Sequence, residues 1–267
     1  MSERSAPGDG AYIHGTEPPE QARLAALNRM TNRAFVEFLG VRPGARVLEV
    51  GSGLGLLAVE VADSADGATV VGLERSPAQI AAARRSPNVR YVEGDAHAID
   101  FPDASFDVAY ARYLLEHVSR PDRVLAEMRR VVRPGGRVAV CENDVSLMRV
   151  DPPCAAFERV WGLFQDHQRS LGGDARIGAR LFRLMRGAGF SEIALSVLPE
   201  VHWFGSPNFK AWIENVIGNV ESARQGLLET GLADGALLDS ASSELAGLMQ
   251  NPDASSVFVW NRAIATR

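Results

Sequence analysis

The sequence predicts an α/β fold: a doubly wound, mostly parallel, seven-stranded sheet with helical lid and cap insertions. Three observations carry that expectation. Short apolar runs alternate with helix-forming segments between residues 46 and 143, the rhythm of a parallel sheet covered by helices on both faces. A glycine-rich turn, "VLEVGSGLG" at Val47 to Gly55, joins the first run to the first helix of that series. Acidic residues, Glu49, Glu74 and Asp95, stand at or near the ends of three successive runs.

Each element follows from local pattern. Residues 1 to about 11 are rich in Ser, Gly and Pro and read as a disordered tail. From Pro18 to Gly40 an apolar stripe through Leu24, Leu27, Phe35, Phe38 and Leu39 predicts an amphipathic helix or pair of helices, closed by Gly40. "ARVLEV" is a strand, "GLLAVEVADS" a helix and "ATVVGLE" the second strand. "SPAQIAAARR" begins with Ser76 as N-cap and Pro77 at the first helical position. "NVRYVEG" and "FDVAYAR" are strands three and four, "PDRVLAEMRRVV" is a helix, and "RVAVCEN" is strand five. Beyond Asn143 two helical stretches, "AAFERVWGLFQDHQRSL" and "ARIGARLFRLMRGAG", are joined through Gly172-Gly173. "SEIALSVLPEV" is strand six, residues 206 to 250 are mostly helical, and "SSVFVWNRAIATR" is the last strand. The chain so divides into a tail and lid (1–40), a binding core (41–145) and a remainder (146–267). Cap insertions at about 146–175 and 205–250 in that remainder are placed to fold over the carboxyl edge of the sheet.

Bulk properties narrow the partners. The 267 residues are 46% hydrophobic with a net charge of −5, which argues against a nucleic-acid partner. Cys141 and Cys154 form no disulfide framework or zinc spacing, and no metal cluster is expected. No apolar run reaches the ~18 residues of a membrane span and the N-terminus lacks a signal core, so a cytoplasmic protein without a membrane partner is expected. The oligomeric state is open, a homodimer included.

The glycines at 51, 53 and 55 permit a tight turn and close approach to a ligand. The dinucleotide fingerprint, however, needs glycine where Leu56 stands, and Glu49 would repel a pyrophosphate. Glu74, 23 residues after Gly51, has the spacing of an acid that accepts from a ribose. Asp95 is placed to read an adenine amino group, with the N–H of Ala96 facing a ring nitrogen. Three carboxylates at one sheet edge suit a cationic ligand, and S-adenosylmethionine, with its sulfonium and ammonium, is one.

The ordered segments "VLEVGSGLG", "VVGLERS", "YVEGDAHAIDFPDASFDVAYARYLLEHV" and "VVRPGGRVAV" resemble the class I S-adenosylmethionine-dependent methyltransferases. The resemblance is to their small-molecule branch, which includes ubiquinone/menaquinone-type and natural-product enzymes. It covers about residues 40 to 145 and implies a Rossmann-like core. It further implies that Glu49, Gly51 and Gly53 hold the methionine part. Glu74 would hold the ribose, Arg75 and Gln79 or Ile80 would flank the adenosine, and Asp95 and Ala96 would read adenine. Arg112 would line the floor near the sulfonium, and Tyr12 and His14 would close over the cofactor.

The expected reaction is methyl transfer to an O, N or C nucleophile of a small, largely apolar metabolite in secondary metabolism. An RNA or protein methyltransferase with the same core, a dehydrogenase and a non-catalytic binding protein are the alternatives. Candidate bases are His117, His167 and His202, with Glu142 and Asp144 also able to accept a proton. Each histidine has a structural reading beside the chemical one. Arg112 could equally form a salt bridge at the sheet edge, and the row Arg176, Arg180, Arg183, Arg186 a solvated helix face. The aromatics Phe157, Trp161, Phe164, Trp203, Phe204, Phe209 and Trp212 would divide between core and a roofed acceptor pocket.

Overall fold

A computed structural model describes residues 18–267. One helix, α1 (Pro18–Leu39), precedes the sheet. Leu27, Thr31, Phe35 and Leu39, each four residues apart, form its buried stripe. Gly40 ends it at φ 53°, its N–H returning to the Val36 carbonyl.

Strands β1 (Arg46–Val50), β2 (Thr69–Glu74), β3 (Val89–Glu93), β4 (Phe106–Arg112) and β5 (Val132–Asn143) are mutually parallel. Helices α2 (Leu56–Asp63), α3 (Pro77–Ala82) and α4 (Pro121–Val131) link them. The spatial order β3-β2-β1-β4-β5 places a switch point between β1 and β4, where chain direction away from the sheet centre reverses. β8 (Ser255–Thr266) lies antiparallel to β5 on one side and to β7 (Glu192–Trp203) on the other. The sheet has eight strands rather than the seven expected. The additional one, β6 (Arg149–Asp151), pairs only with Val257 to Ser255 of β8, beyond the stretch paired to β5. Three residues are too few for a periodic sequence signal.

α5 (Ala155–Ser170), α7 (Phe209–Glu229) and α8 (Gly235–Leu248) join α1 and α2 in one core, while α4 and α6 (Leu181–Gly187) enclose the other. Two helix boundaries differ from expectation. α3 stops at Ala82 because Ala83 is extended and the Arg84 N–H turns to the Leu54 carbonyl. The expected helix "ARIGARLFRLMRGAG" divides into a 3-10 turn, Ile177–Arg180, and α6. Gly178 lies so close to β5 that a Cβ there would sit 2.6 Å from the Asn143 carbonyl oxygen.

The helices of the two segments expected as caps pack on one another and, through α7, on α1, and none of their residues lines the cavity at the carboxyl ends of the strands. Phe157, Trp161, Phe164, Phe209 and Trp212 are buried in the core around α5, α7 and α8, and Trp203 and Phe204 are exposed at the end of β7. Among the described residues no helix is long and apolar enough to cross a membrane. Cys141 and Cys154 are buried free thiols.

Candidate functional site

A cavity of about 450 Å³ opens at the switch point, bounded by the carboxyl ends of β1, β2 and β4, the loop after β3, and α1. Glu49, Gly51, Gly53, Glu74, Arg75, Gln79, Asp95, Ala96, Arg112 and His117 all line it; Ile80 does not. Tyr12 and His14 lie outside the described residues.

The glycine turn owes its form to both ligand access and packing. At Gly51, φ is 78° and a Cβ would come within 3.0 Å of Leu114 Cδ1, so the turn fits against the loop after β4. Gly55 has another cause. A Cβ there would meet the Tyr91 hydroxyl at 1.9 Å, and that hydroxyl donates to the Arg84 carbonyl at 2.8 Å. The first two glycines face the cavity, and the third makes room for Tyr91.

Glu49 shares its sheet face with Val47 and Tyr110, both in the core beneath α1. Its side chain is buried, and Oε2 has no hydrogen-bond partner. Burial pushes its carboxyl up to about 8, although Arg112 pulls the other way. A carboxyl so placed is short of a cation or donor. Glu74 is better served: Oε2 accepts from Gly53 N–H at 2.9 Å and Oε1 from Ser76 N–H at 3.0 Å, so it ties the glycine turn to the end of β2. Asp95 accepts from the His97 N–H and faces its Nδ1, both at 2.8 Å. Partial burial raises its carboxyl, but the His97 contacts and Arg123 outweigh this and hold it below the ordinary range.

Arg112 has no carboxylate partner within ion-pair distance among the described residues. Its guanidinium donates to Asn28 Oδ1 at 2.5 Å, Asn32 Oδ1 at 2.6 Å and Thr31 Oγ1 at 3.3 Å, all on α1. It also lies 5.0 Å from the Tyr113 ring centroid and 5.5 Å from that of Phe35. The salt-bridge alternative is thus replaced by a clamp between β4 and α1.

Of the candidate bases, only His117 reaches the cavity. His167 is buried between α5 and α7, where a Cβ on Gly226 would lie 2.2 Å from its Nε2. His202 stacks on Trp212 with ring centroids 5.1 Å apart and faces Glu200 at 3.2 Å. Neither His167 nor His202 lines the cavity, because their helix and strand belong to the far half of the sheet. Glu142 lies behind the wall, accepting from Leu114 N–H at 3.1 Å and Leu115 N–H at 2.9 Å. Asp144 caps the turn Val145–Leu147.

Gln21, Leu24 and Asn28 of α1, with Tyr113, Leu114 and Val118, were not anticipated as lining. The signal for α1 was present: Asn28, Thr31 and Asn32 put polar groups at helical spacing beside an apolar stripe. Among the described residues no group of His, Cys, Asp and Glu could hold a metal ion.

Comparison with known proteins agrees with this geometry. A family model described as a methyltransferase domain matches residues 48–140. The demethylmenaquinone methyltransferase of Beutenbergia cavernae is 39% identical over 139 residues, 52% of this chain and 55% of that protein. The ubiquinone/menaquinone biosynthesis C-methyltransferase UbiE of Azotobacter vinelandii is 36% identical over 128 residues, 43% of this chain and 49% of that protein. The chain therefore spans about half the length of the curated relatives it matches. Among solved structures, a methyltransferase of an antibiotic biosynthesis pathway from Anabaena variabilis superposes with a TM-score of 0.61 at 17% identity, covering 89% of this chain and 96% of that one. That likeness speaks to fold. The methyltransferase-domain match spans residues 48–140, and the strand order and the acid-lined switch-point cavity set that segment in an arrangement similar to that of the class I S-adenosylmethionine-dependent methyltransferases.

Proposed function

We propose that the cavity holds S-adenosylmethionine and that the protein transfers its methyl group to a small, largely apolar acceptor of the quinone-precursor class. One observation carries the cofactor reading above the others: the buried Glu49 carboxyl, with Oε2 unpartnered, lies in the same cavity wall as Glu74 and Asp95. The acceptor class is supported by what the named relatives act on.

The cofactor supplies an electrophilic methyl on a sulfonium. The residues divide the rest of the work. Glu49 meets the ammonium, and the turn at Gly51 and Gly53 accommodates the methionine part. The remaining lone pairs of Glu74 accept from the ribose, Asp95 and the Ala96 N–H read the adenine, and Arg75 and Gln79 flank it. Arg112 fixes α1 over the site. Alignment of nucleophile, methyl carbon and sulfur is worth ~7–11 kcal/mol in favourable cases, and α1 assists by excluding water. His117 takes the acceptor proton on its ring. That proton loss leaves the acceptor its electron pair, and the bound cofactor would supply the methyl group and a sulfur able to take the leaving pair.

Calorimetry with S-adenosylhomocysteine tests the cofactor. Micromolar binding by the wild type, weakened about tenfold or more in Glu74→Ala with no heat from NADH, supports the reading; NADH binding in its place overturns it. A screen of demethylated naphthoquinols, with hydroxylated secondary metabolites as a second set, then tests the acceptor. Turnover with RNA or protein alone would sink the small-molecule reading, and binding without turnover on any acceptor the enzymatic one.

A further inference from the structure

Behind the cavity wall, the 3-10 turn Leu115–His117 rests on two buried carboxyl groups, Glu116 and Glu142. No arginine or lysine is within ion-pair distance of either among the described residues. Two carboxylates packed without a cation do not both ionise, and their surroundings differ in a way that sorts them.

Donors reach both oxygens of Glu116. Asn143 Nδ2 donates to Oε1 at 2.6 Å, Gln168 Nε2 approaches Oε2 at 3.4 Å, and His117 Nε2 stands 3.6 Å from Oε1. The last is a charge contact rather than a hydrogen bond. In Glu142 the donors leave one oxygen bare: Leu114 and Leu115 N–H both reach Oε1, the Glu116 N–H also favours the ionised form, and buried Oε2 has no partner. Donors on both oxygens suit a carboxylate. Donors on one oxygen alone suit a neutral acid, whose second oxygen carries the hydrogen. Asn143 Oδ1 and Gln168 Oε1, in the same cluster, are buried acceptors without a partner. Burial and the nearness of Glu116 push the Glu142 carboxyl well above its usual range, in agreement with the geometry. Of the other charges near the turn, Asp174 is matched with Arg180, Asp144 with Arg176 and Arg120 with Asp122, while on the cavity side His117 shares the wall with Glu49, Glu74, Asp95 and Arg112, which both variants leave in place.

We propose that Glu116 is a positioning residue: the ionised member of a pair whose proton sits on Glu142, it holds the His117 ring at the cavity wall and balances the charge the ring gains on taking a proton. This rests on the proposed role of His117 as proton acceptor. It also narrows the substrate, because a charge-balanced acceptor of protons is needed for a phenol, enol or alcohol and superfluous for a thiolate or carboxylate.

The test is a proton NMR titration of the ligand-free protein, with the His117 resonance assigned by its loss in His117→Gln. Glu116→Gln is expected to lower the His117 midpoint by about one pH unit or more, because a nearby carboxylate favours the imidazolium. Glu142→Gln, which replaces a neutral acid by a neutral amide, is expected to leave that midpoint unchanged. An unmoved midpoint in Glu116→Gln overturns the proposal, as does an equal fall in both variants. Infrared spectroscopy decides independently, even should Glu116→Gln fail to fold. In a Glu49→Gln background, which removes the other buried carboxyl that burial holds protonated, the protein should show the carbonyl band of a buried protonated carboxyl at neutral pH, and adding Glu142→Gln should remove it; a band that is absent or survives the second substitution overturns the assignment. Neither measurement involves cofactor or acceptor, so failure here is distinct from failure of S-adenosylhomocysteine to bind.

Discussion

Glu49 carries a proton in the ligand-free cavity at neutral pH, since burial pushes its carboxyl up to about 8. A cationic ligand reverses that preference, because an ammonium beside the carboxyl favours its ionised form. Binding of S-adenosylmethionine near neutral pH should then release up to one proton, measurable by calorimetry in buffers of different ionisation enthalpy, and Glu49→Gln should abolish the release. The same carboxyl affects stability. Its folded value lies above its unfolded value of 4.5, so its contribution is fully present below about pH 4.5 and is lost as pH rises toward 8. Denaturant melts of Glu49→Gln without ligand should show a flatter decline over that window, and an unchanged slope would mean another group sets it. The sequence placed Glu49 at the right strand end. Its burial beneath α1 depends on a helix distant in sequence and could not be read from the strand alone.

At the scale of elements, the attachment of α1 to the sheet decides whether the cavity has a wall. Asn28, Thr31 and Asn32 occupy one helix face and converge on Arg112, so the clamp joins the helix to the end of β4. A double-mutant cycle of Arg112→Ala and Asn28→Ala should give a coupling of about 1 kcal/mol or more in thermal or urea unfolding, and additivity would remove Arg112 as the link. Hydrogen exchange of the α1 amides should quicken in Arg112→Ala more than that of α4 amides on the opposite face. A second element-level dependence lies at Gly178. Its Cβ would be 2.6 Å from a backbone oxygen of β5, so Gly178→Ala should cost about 1–3 kcal/mol as the 3-10 turn lifts from the sheet. The pattern of Arg and Leu residues there reads as one continuous helix. The close approach that interrupts it is a property of the packed sheet, and the lone glycine was its sole trace.

For the whole molecule, the strand order brings the ends of β1 and β2, the loop after β3 and β4 around one crevice, and the helices α5, α7 and α8 of the second half share one core with α1 and α2 and do not line that crevice. Ligand binding to the folded state should therefore stabilise the entire sheet. S-adenosylhomocysteine at a hundredfold excess over its Kd contributes about 2.7 kcal/mol. For a chain of this size that corresponds to a rise in Tm of roughly 5–10 °C, readable by scanning calorimetry and absent with NADH.

By itself the sequence determined the α/β class, the seven long strands, the glycine turn and the acids around it. Each is encoded within a few residues: apolar periodicity, caps such as Ser76-Pro77, and positive-φ positions that favour glycine. Only the tertiary structure decided which of the three candidate histidines stands at the cavity, that Arg112 binds asparagines instead of a carboxylate, and that the aromatics of α5 and α7 fill a core. These depend on which helix face meets which strand, a choice made by packing between residues up to two hundred positions apart, as in the bond from Arg23 of α1 to Asn215 of α7.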